Sequence, residues 1–310
     1  MPLFWRIIGR TMALTGLIFN SSKYTNVQYP SSDGRTTLGG YLALPPGYSE
    51  ETTYPTALVW HAWNGMSEEP VYFADLLAEQ GYIALAPDLF RGVSSRSWNI
   101  PWNIATVSRT PQSRINADMN AALEYLRESV AINESLLMSG PGFCFGGSQA
   151  LEFSKRNGVV ATISLYGSYI DGLQDATDDE AWGLLGMFSP ILGIFGAEDD
   201  RPSPEQALGF ANAMELRDIE HNVTIYDGVG HAFVNPEAHR EGSRQAVAAW
   251  NQVVEFMNEV VATGGITRSH ELEYKELELS VHAKEGHASR SFIWDHAMDP
   301  VLHKGHFSHF

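Results

Sequence analysis

Cysteine is almost absent from this chain of 310 residues, which contains one, Cys144. A single cysteine excludes a disulfide within the chain and any zinc or iron–sulfur site built from several cysteines. Basic residues are also scarce, because 20 lysines and arginines face 37 acids and give a formal net charge of −17. This charge disfavours nucleic acid and anionic membrane surfaces as partners. No apolar run is long enough to span a bilayer, so no membrane-spanning helix is predicted.

The beginning of the chain differs in composition from its centre. Residues 1–24 contain no acid and include a short apolar stretch, so we interpret them as an N-terminal extension and a possible targeting segment. No A-x-A-like cleavage site follows that stretch, and we therefore expect a cytoplasmic protein.

The end of the chain is rich in histidine. Residues 263–310 are interpreted as a C-terminal extension; the three-residue step of His303, His306 and His309 fits no strong metal-binding motif. We expect an exposed tail whose removal leaves stability and activity unchanged. The alternative is that residues 271–282, which alternate charged with apolar side chains, form a strand or hairpin.

Between these extensions, residues 25–262 alternate strand and helix patterns. Strands are predicted at residues 37–44, 56–60, 83–86, 136–139, 159–165, 191–195 and 222–226. Helices are predicted at residues 68–80, 114–129, 147–156, 204–216 and 236–261. Several strands are continuous apolar runs, as expected when helices cover both faces of a sheet. The alternation predicts an α/β fold with a doubly wound, mostly parallel sheet, in which 37–44 is an antiparallel edge strand.

Two connections are unusually long. Residues 91–113 and 168–188 are predicted as loops at the side of the sheet where such folds bind ligands. They carry Trp98, Trp102 and Trp182, which would offer apolar surface to a substrate.

The motif Gly142-Phe143-Cys144-Phe145-Gly146-Gly147 has the spacing of a nucleophile elbow, with cysteine in place of the usual serine. A predicted strand precedes it and a predicted helix follows, so Cys144 would lie in a tight turn above the sheet. Backbone N–H groups at the start of that helix would favour the thiolate form. The alternative is a buried structural cysteine in a glycine-rich turn.

A cysteine nucleophile needs a base, and the base needs an acid that orients it. Asp199 follows the predicted strand 191–195, and His231 follows the strand 222–226. Cys144, Asp199 and His231 therefore occur in the order nucleophile, acid, histidine, each on a loop directly after a strand. This order predicts that the three side chains meet at one rim of the sheet.

With these motifs the chain resembles the dienelactone hydrolase family of the α/β-hydrolase fold over residues 25–262. The resemblance rests on the elbow motif, on Phe195-Gly196-Ala197-Glu198-Asp199, on Gly230-His231-Ala232-Phe233, and on Gln80-Gly81-Tyr82 leading to Ala86-Pro87-Asp88-Leu89. It implies that Cys144 is the nucleophile, His231 the base and later acid, and Asp199 the orienting carboxylate. It further implies an oxyanion hole formed by the backbone N–H groups of Phe145 and Trp63.

Two positions depart from the family pattern. Ala62 stands where dienelactone hydrolases place a glutamate that helps control the ionisation of the thiol. Asn235 stands where the enzymes acting on dienelactone hold the substrate carboxylate with an arginine. We assign His61, Trp98, Trp102 and Asn235 to the substrate pocket, and His61 could take over part of the glutamate's role.

The expected activity is hydrolysis of a small carboxylic ester or lactone through a thioester acyl-enzyme, with no metal and no organic cofactor. One alternative is a non-catalytic α/β-hydrolase domain that binds a small ligand or a partner. A thiol-dependent acyltransferase is the other. The oligomeric state is not predicted by the sequence.

Overall fold

Nine strands of the described residues form one sheet. The computed structural model describes residues 23–94, 100–167, 187, 189–264 and 271–275, with the backbone alone for 100–102, 104 and 271–275. The strands are β1 (Val27–Pro30), β2 (Thr37–Ala43), β3 (Tyr54–Trp60), β4 (Ile83–Pro87), β5 (Ile132–Phe143), β6 (Ala161–Leu165), β7 (Ile191–Gly196), β8 (His221–Tyr226) and β9 (Glu271–Lys275).

The strand order confirms the α/β-hydrolase prediction. Across the sheet the strands run β1-β2-β4-β3-β5-β6-β7-β8-β9, and every neighbouring pair from β4–β3 onward is parallel. The β1–β2 and β2–β4 pairs are antiparallel. The predicted antiparallel direction of residues 37–44 is therefore correct, but their placement at the edge is wrong, because β1 pairs with β2 on its outer side. A strand of only four residues gives too short an alternating pattern to be recognised.

Seven helices connect or flank the strands in the described residues. They are α1 (Glu68–Glu79), α2 (Ile100–Arg109), α3 (Gln112–Ser129), α4 (Phe145–Ser154), α5 (Pro204–Glu215), α6 (Pro236–Arg240) and α7 (Arg244–Thr263). Two predictions need correction. The connection 91–113 contains α2, and the single helix predicted at 236–261 is two helices. The break between them contains Gly242 with a φ of 73°, a left-handed conformation that ends the first helix.

Local sequence explains where several helices begin and end. The Ser203 hydroxyl accepts a hydrogen bond from the Gln206 backbone N–H, and the Gln206 side-chain oxygen accepts one from the Ser203 backbone N–H. The two bonds form a capping box at the start of α5. Gly264 ends α7 in the left-handed conformation. Helix α1 buries Phe73 and Leu77. It contacts β2, β3 and β4, which lie in one half of the sheet.

The core lies between the sheet and the helices on its two faces. Strands β4, β6 and β7 are buried at every position, as the continuous apolar runs predict. A cluster of buried apolar side chains joins β1 to β5 with α3 and α4, and a second joins β7 and β8 with α5. This rigid centre sets the positions of the loops that leave the carboxyl ends of the parallel strands.

The sheet extends past the predicted domain boundary at residue 262. Strand β9 pairs in parallel with β8, from Asn222 opposite Glu271 to Tyr226 opposite Lys275. We predicted an exposed tail for residues 263–310. For residues 271–275 this prediction is wrong, because they form a strand, as the alternative stated. The domain boundaries themselves, 1–24, 25–262 and 263–310, stay predictions. Trp98, Trp182 and the three histidines at 303, 306 and 309 lie outside the described residues.

Candidate active site

The turn between β5 and α4 places Cys144 in a strained conformation. Its φ is 54° and its ψ is −116°, a combination that costs a residue with a side chain free energy and is found mostly at functional sites. The glycines around it are required by space. A Cβ on Gly142 would overlap the carbonyl oxygen of Gly146, and a Cβ on Gly146 would overlap that of Trp60. The backbone therefore has the geometry of a nucleophile elbow, as the spacing predicts.

His231 and Asp199 are in direct contact. The Nδ1 of His231 lies 2.8 Å from Oδ2 of Asp199, and the Asp199 side chain is 2% exposed while that of His231 is 27% exposed. The other carboxylate oxygen of Asp199 accepts a hydrogen bond of 2.8 Å from the backbone N–H of Arg201. Both oxygens are thus held, and Nε2 is the ring nitrogen left for Cys144. Asp200, the neighbouring acid, is exposed and makes no such contact in the described structure.

The electrostatics of the site favour a protonated His231. Burial by itself would lower the pKa of His231, but hydrogen bonds with Asp199 and Cys144, together with the negative charges of both, raise it to about 10. At neutral pH the ring is then an imidazolium beside the sulfur. A positive charge next to a cysteine favours the thiolate, which is the nucleophilic form.

A cavity of about 710 Å³ opens over Cys144. This volume lies in the range of pockets that bind small molecules. Its lining consists of Trp63, Val107, Ser108, Cys144, Phe145, Glu198, Asp199, Asp200, Arg201 and His231. The three predicted catalytic residues and the two predicted oxyanion residues therefore share one pocket. Phe145 is the first residue of α4, where backbone N–H groups have no acceptor within the helix.

Two residues that we assigned to the pocket lie elsewhere. His61 is fully buried and outside the lining; its Nδ1 is 2.7 Å from the Ala62 carbonyl, and its Nε2 accepts from the Leu89 N–H at 3.1 Å. Both ring nitrogens have hydrogen-bond partners. Burial lowers the pKa of His61, although the negative charge of Asp88 acts in the opposite direction. Its role is to join the loop after β3 to the loop after β4.

Asn235 also has a structural position. Its side-chain oxygen accepts from the Ala238 N–H at 2.9 Å as the N-cap of α6, and its amide donates to the Ala232 carbonyl at 3.0 Å. Trp102 lies on α2, where only the backbone is described, and Trp98 is outside the described residues. The assignments of these two tryptophans to the pocket stay predictions.

Several pocket residues were missed by sequence reasoning. Val107 and Ser108 come from α2, which we expected to be a loop. Glu198, Asp200 and Arg201 flank Asp199 and bring charge to the pocket. The run of charged residues after β7 could have indicated these pocket residues, but the sequence does not show which of its side chains face the pocket.

The ring of Tyr166 packs against the ring of His231. Tyr166 follows β6 with a φ of 40°, is fully buried, and donates its hydroxyl proton to the Val234 carbonyl at 2.9 Å. The centroids of the Tyr166 and His231 rings are 5.0 Å apart, with their planes at 61°. A fully buried ring therefore packs edge to face against His231.

Helices α1 and α6 are joined beside the site. The Tyr72 hydroxyl lies 2.8 Å from Nδ1 of His239, and the guanidinium of Arg240 lies over the Tyr72 ring and pairs with Glu68. Helix α1 follows the loop that carries Trp63, and α6 follows the loop that carries His231. The two loops are thereby tied to each other through their helices.

The described ranges contain neither a candidate metal cluster nor a candidate membrane-spanning helix. No group of three or more His, Cys, Asp or Glu side chains there could hold a metal ion. None of the helices in the same ranges is long and apolar enough to cross a membrane.

Comparisons with known proteins identify the family of this chain. The model of the dienelactone hydrolase family matches residues 38–261. A protein of Aquifex aeolicus named "Putative carboxymethylenebutenolidase" is 26% identical over 227 residues, which are 70% of this chain and 91% of that one. "Protein usf" of Aquifex pyrophilus is 25% identical and covers 71% of this chain and 92% of its own length.

Solved structures show the same fold. A dienelactone hydrolase-like promiscuous phosphotriesterase from metagenomic libraries superposes with a TM-score of 0.61 at 20% identity, over 75% of this chain and 96% of its own. Esterase 2 of Thermogutta terrifontis superposes with a TM-score of 0.60 at 16% identity, over 82% and 100%. Since the family model spans most of the chain, and the sheet order and elbow agree with it, the chain belongs to the dienelactone hydrolase family.

Proposed function

We propose that the protein hydrolyses small carboxylic esters or lactones, with Cys144 as nucleophile, His231 as general base and acid, and Asp199 as the carboxylate that orients His231. The observation that carries this proposal is the 2.8 Å contact between His231 Nδ1 and Asp199 beside a strained Cys144 at one pocket. This supports the proposal, because nucleophilic acyl transfer needs a nucleophile, a base and a carboxylate that orients the base at one site.

The first half of the reaction forms a thioester. The Cys144 sulfur attacks the carbonyl carbon, and the carbonyl oxygen becomes an oxyanion that accepts hydrogen bonds from the backbone N–H groups of Phe145 and Trp63. The tetrahedral intermediate collapses, and the bond to the alkoxide breaks. His231 gives its proton to the leaving oxygen. Such oxyanion donors each contribute about 3 kcal/mol to the stability of the transition state.

The second half restores the enzyme. His231, now neutral at Nε2, takes a proton from water, and the resulting hydroxide attacks the thioester carbonyl. The carboxylic acid leaves, and the sulfur recovers its original state. Asp199 keeps its hydrogen bond to Nδ1 through both halves, so that Nε2 always faces the reacting atoms.

The test is turnover of a short-chain p-nitrophenyl ester by the wild type and by Cys144→Ala. The substitution should lower kcat by at least about 1,000-fold, because it removes the sulfur that forms the acyl-enzyme. Circular dichroism should be unchanged, since the elbow depends on glycines rather than on sulfur. Cys144→Ser is the matched variant and should keep little activity, because a hydroxyl is much less acidic than a thiol. Near wild-type turnover by Cys144→Ala would show that Cys144 is not the nucleophile.

The two alternatives have different signatures in the same assay. A thiol-dependent acyltransferase would pass the acyl group to an added alcohol or amine faster than to water, and mass spectrometry of the products separates the two. A ligand-binding domain would bind esters without a burst of p-nitrophenolate. The raised pKa of His231 and the buried Asp199 favour the enzyme, because a domain without chemistry gains nothing from holding this charge.

A further inference from the structure

Helix α2 forms one wall of the pocket. Val107 and Ser108, near the end of this helix, line the cavity over Cys144. Val107 also packs against the cluster of buried apolar side chains that contains Phe145. Among the described residues, α2 otherwise has few contacts with the other helices and strands. The position of this wall therefore depends on how the chain is held where α2 ends and α3 begins.

Two side-chain links hold the turn from α2 to α3. In the first, the Thr110 hydroxyl donates to the Thr106 carbonyl at 2.8 Å and accepts from the Arg114 guanidinium at 2.9 Å. This link joins the end of α2 to the first turn of α3. In the second, Nε2 of Gln112, the first residue of α3, donates to Oε1 of Gln149 on α4 at 2.7 Å. The second link joins the turn to the helix that follows the nucleophile elbow.

Gln149 lies directly behind the active site on α4. It is four residues after Phe145 and therefore on the same face of the helix, one turn further from the elbow. Phe145 lines the pocket, whereas Gln149 is fully buried and outside the lining. A buried amide is costly unless it makes hydrogen bonds. In the part of the chain that the structure describes, the bond to Gln112 is the one hydrogen bond of the Gln149 side chain.

We propose that Gln149 is a positioning residue that acts through Gln112. Their hydrogen bond holds the turn after α2 against α4, and it so fixes the wall formed by Val107 and Ser108 relative to Cys144. The inference rests on the proposed function, because it assigns the bond an effect on substrate binding at this pocket.

The wall residues take no part in bond making or breaking in the proposed mechanism. Val107 and Ser108 would contact an ester equally in the ground state and in the transition state. Interactions of this kind contribute to binding but do not lower the barrier of the chemical step. A wall that is no longer held in place should therefore raise KM and leave kcat nearly unchanged.

The test is a double-mutant cycle of Gln149→Leu and Gln112→Leu, assayed with p-nitrophenyl butyrate. Each single substitution should raise KM by about fivefold, the effect of one net hydrogen bond, and should change kcat by less than about twofold. The double variant should raise KM no further, because both substitutions remove the same bond. Gln149→Glu keeps an oxygen that can accept from Gln112, so it should restore part of the lost affinity.

Gln252→Leu is the matched control. Gln252 is also a buried glutamine; its Nε2 donates to the Thr224 hydroxyl at 2.7 Å, and its Oε1 accepts from the Tyr226 hydroxyl at 2.8 Å. These bonds join α7 to β8, so the substitution should lower the melting temperature without changing KM. An unchanged KM in Gln149→Leu and Gln112→Leu, additive increases in the double variant, or an equal increase in Gln252→Leu would overturn the proposal.

A binding measurement separates this proposal from the proposed function. The probe is the ketone in which CH2 replaces the ester oxygen of p-nitrophenyl butyrate, and its Kd is measured by isothermal titration calorimetry in Cys144→Ala. Adding Gln149→Leu should raise this Kd by about fivefold. An equal Kd in both proteins would show that Gln149 does not position the wall. Full esterase activity of Cys144→Ala would instead overturn the proposed function, and the Kd would still report on the wall.

Discussion

At the scale of single residues, the site depends on which of two adjacent acids faces His231. Asp199 is 2% exposed at its side chain and contacts His231, whereas Asp200 is exposed at the pocket rim. The buried acid fixes both the orientation and the tautomer of the ring. The difference between the two arises because the Arg201 N–H holds the second oxygen of Asp199.

Asp199→Asn should lower kcat by about 100- to 10,000-fold, because an amide would favour the wrong tautomer of His231. Asp200→Asn is the matched control and should change kcat by less than about threefold, since a pocket-rim charge acts mainly through screened electrostatics. Steady-state kinetics with a neutral ester measure both. A severe effect of Asp200→Asn beside a mild effect of Asp199→Asn would reverse the assignment.

That these residues share one pocket could be predicted from the sequence, because each of Cys144, Asp199 and His231 follows a strand, and parallel strands end at the same edge. The surroundings could not be predicted in the same way. His61 and Asn235 differ from pocket residues only in the direction of their side chains, which depends on loop conformation.

At the scale of helices and strands, periodicity predicted most of the sheet, since buried parallel strands are continuous apolar runs. It failed where an element is short or interrupted. Strand β1 has four residues, and the break at Gly242 divides one apolar pattern between α6 and α7. Strand β9 follows a change of composition, and its pairing with β8 joins positions about 50 residues apart, a contact that local patterns do not report.

Strand β9 gives a prediction at this scale. A chain ending at residue 264 should have a lower melting temperature than one ending at 276, because only the longer chain keeps the ladder on β8. The chain ending at 276 should melt close to the full chain. Thermal unfolding followed by circular dichroism compares the three. Equal melting temperatures for the two truncated chains would mean that β9 adds nothing to stability.

At the scale of the whole molecule, charge shapes which substrates reach the pocket. The chain carries a net charge of −17, and the pocket lining includes Glu198 and Asp200. Arg201 is a cation in that lining, but it is exposed and stands directly after Asp200. Another arginine, Arg114 on α3, is not in that lining, and its guanidinium donates a hydrogen bond of 2.9 Å to the Thr110 hydroxyl. We therefore expect anions to be disfavoured at the pocket rim.

We expect neutral aryl esters to be hydrolysed with at least about tenfold higher kcat/KM than dienelactone. Asn235 stands where the family enzymes acting on dienelactone have an arginine. A substrate carboxylate therefore loses a charge-assisted hydrogen bond worth about 1.5–3 kcal/mol. The comparison is made at low ionic strength, where repulsion is strongest. Turnover of dienelactone equal to that of the neutral ester would contradict this expectation. If Arg201→Gln then abolished turnover of dienelactone but not of the neutral ester, Arg201 would be the residue that binds the carboxylate.

The position of Cys144 has a consequence for oxidative damage. Cys144 is 7% exposed and lines the pocket, and the chain has no other cysteine. If peroxide converts the sulfur to a sulfenic acid, no second thiol in the chain can form a disulfide and protect it from further oxidation. Rescue then requires a small thiol that can enter the cavity over Cys144, and a reductase too large to enter would not reach it. The shape of the pocket thus decides whether oxidation of this protein is reversible.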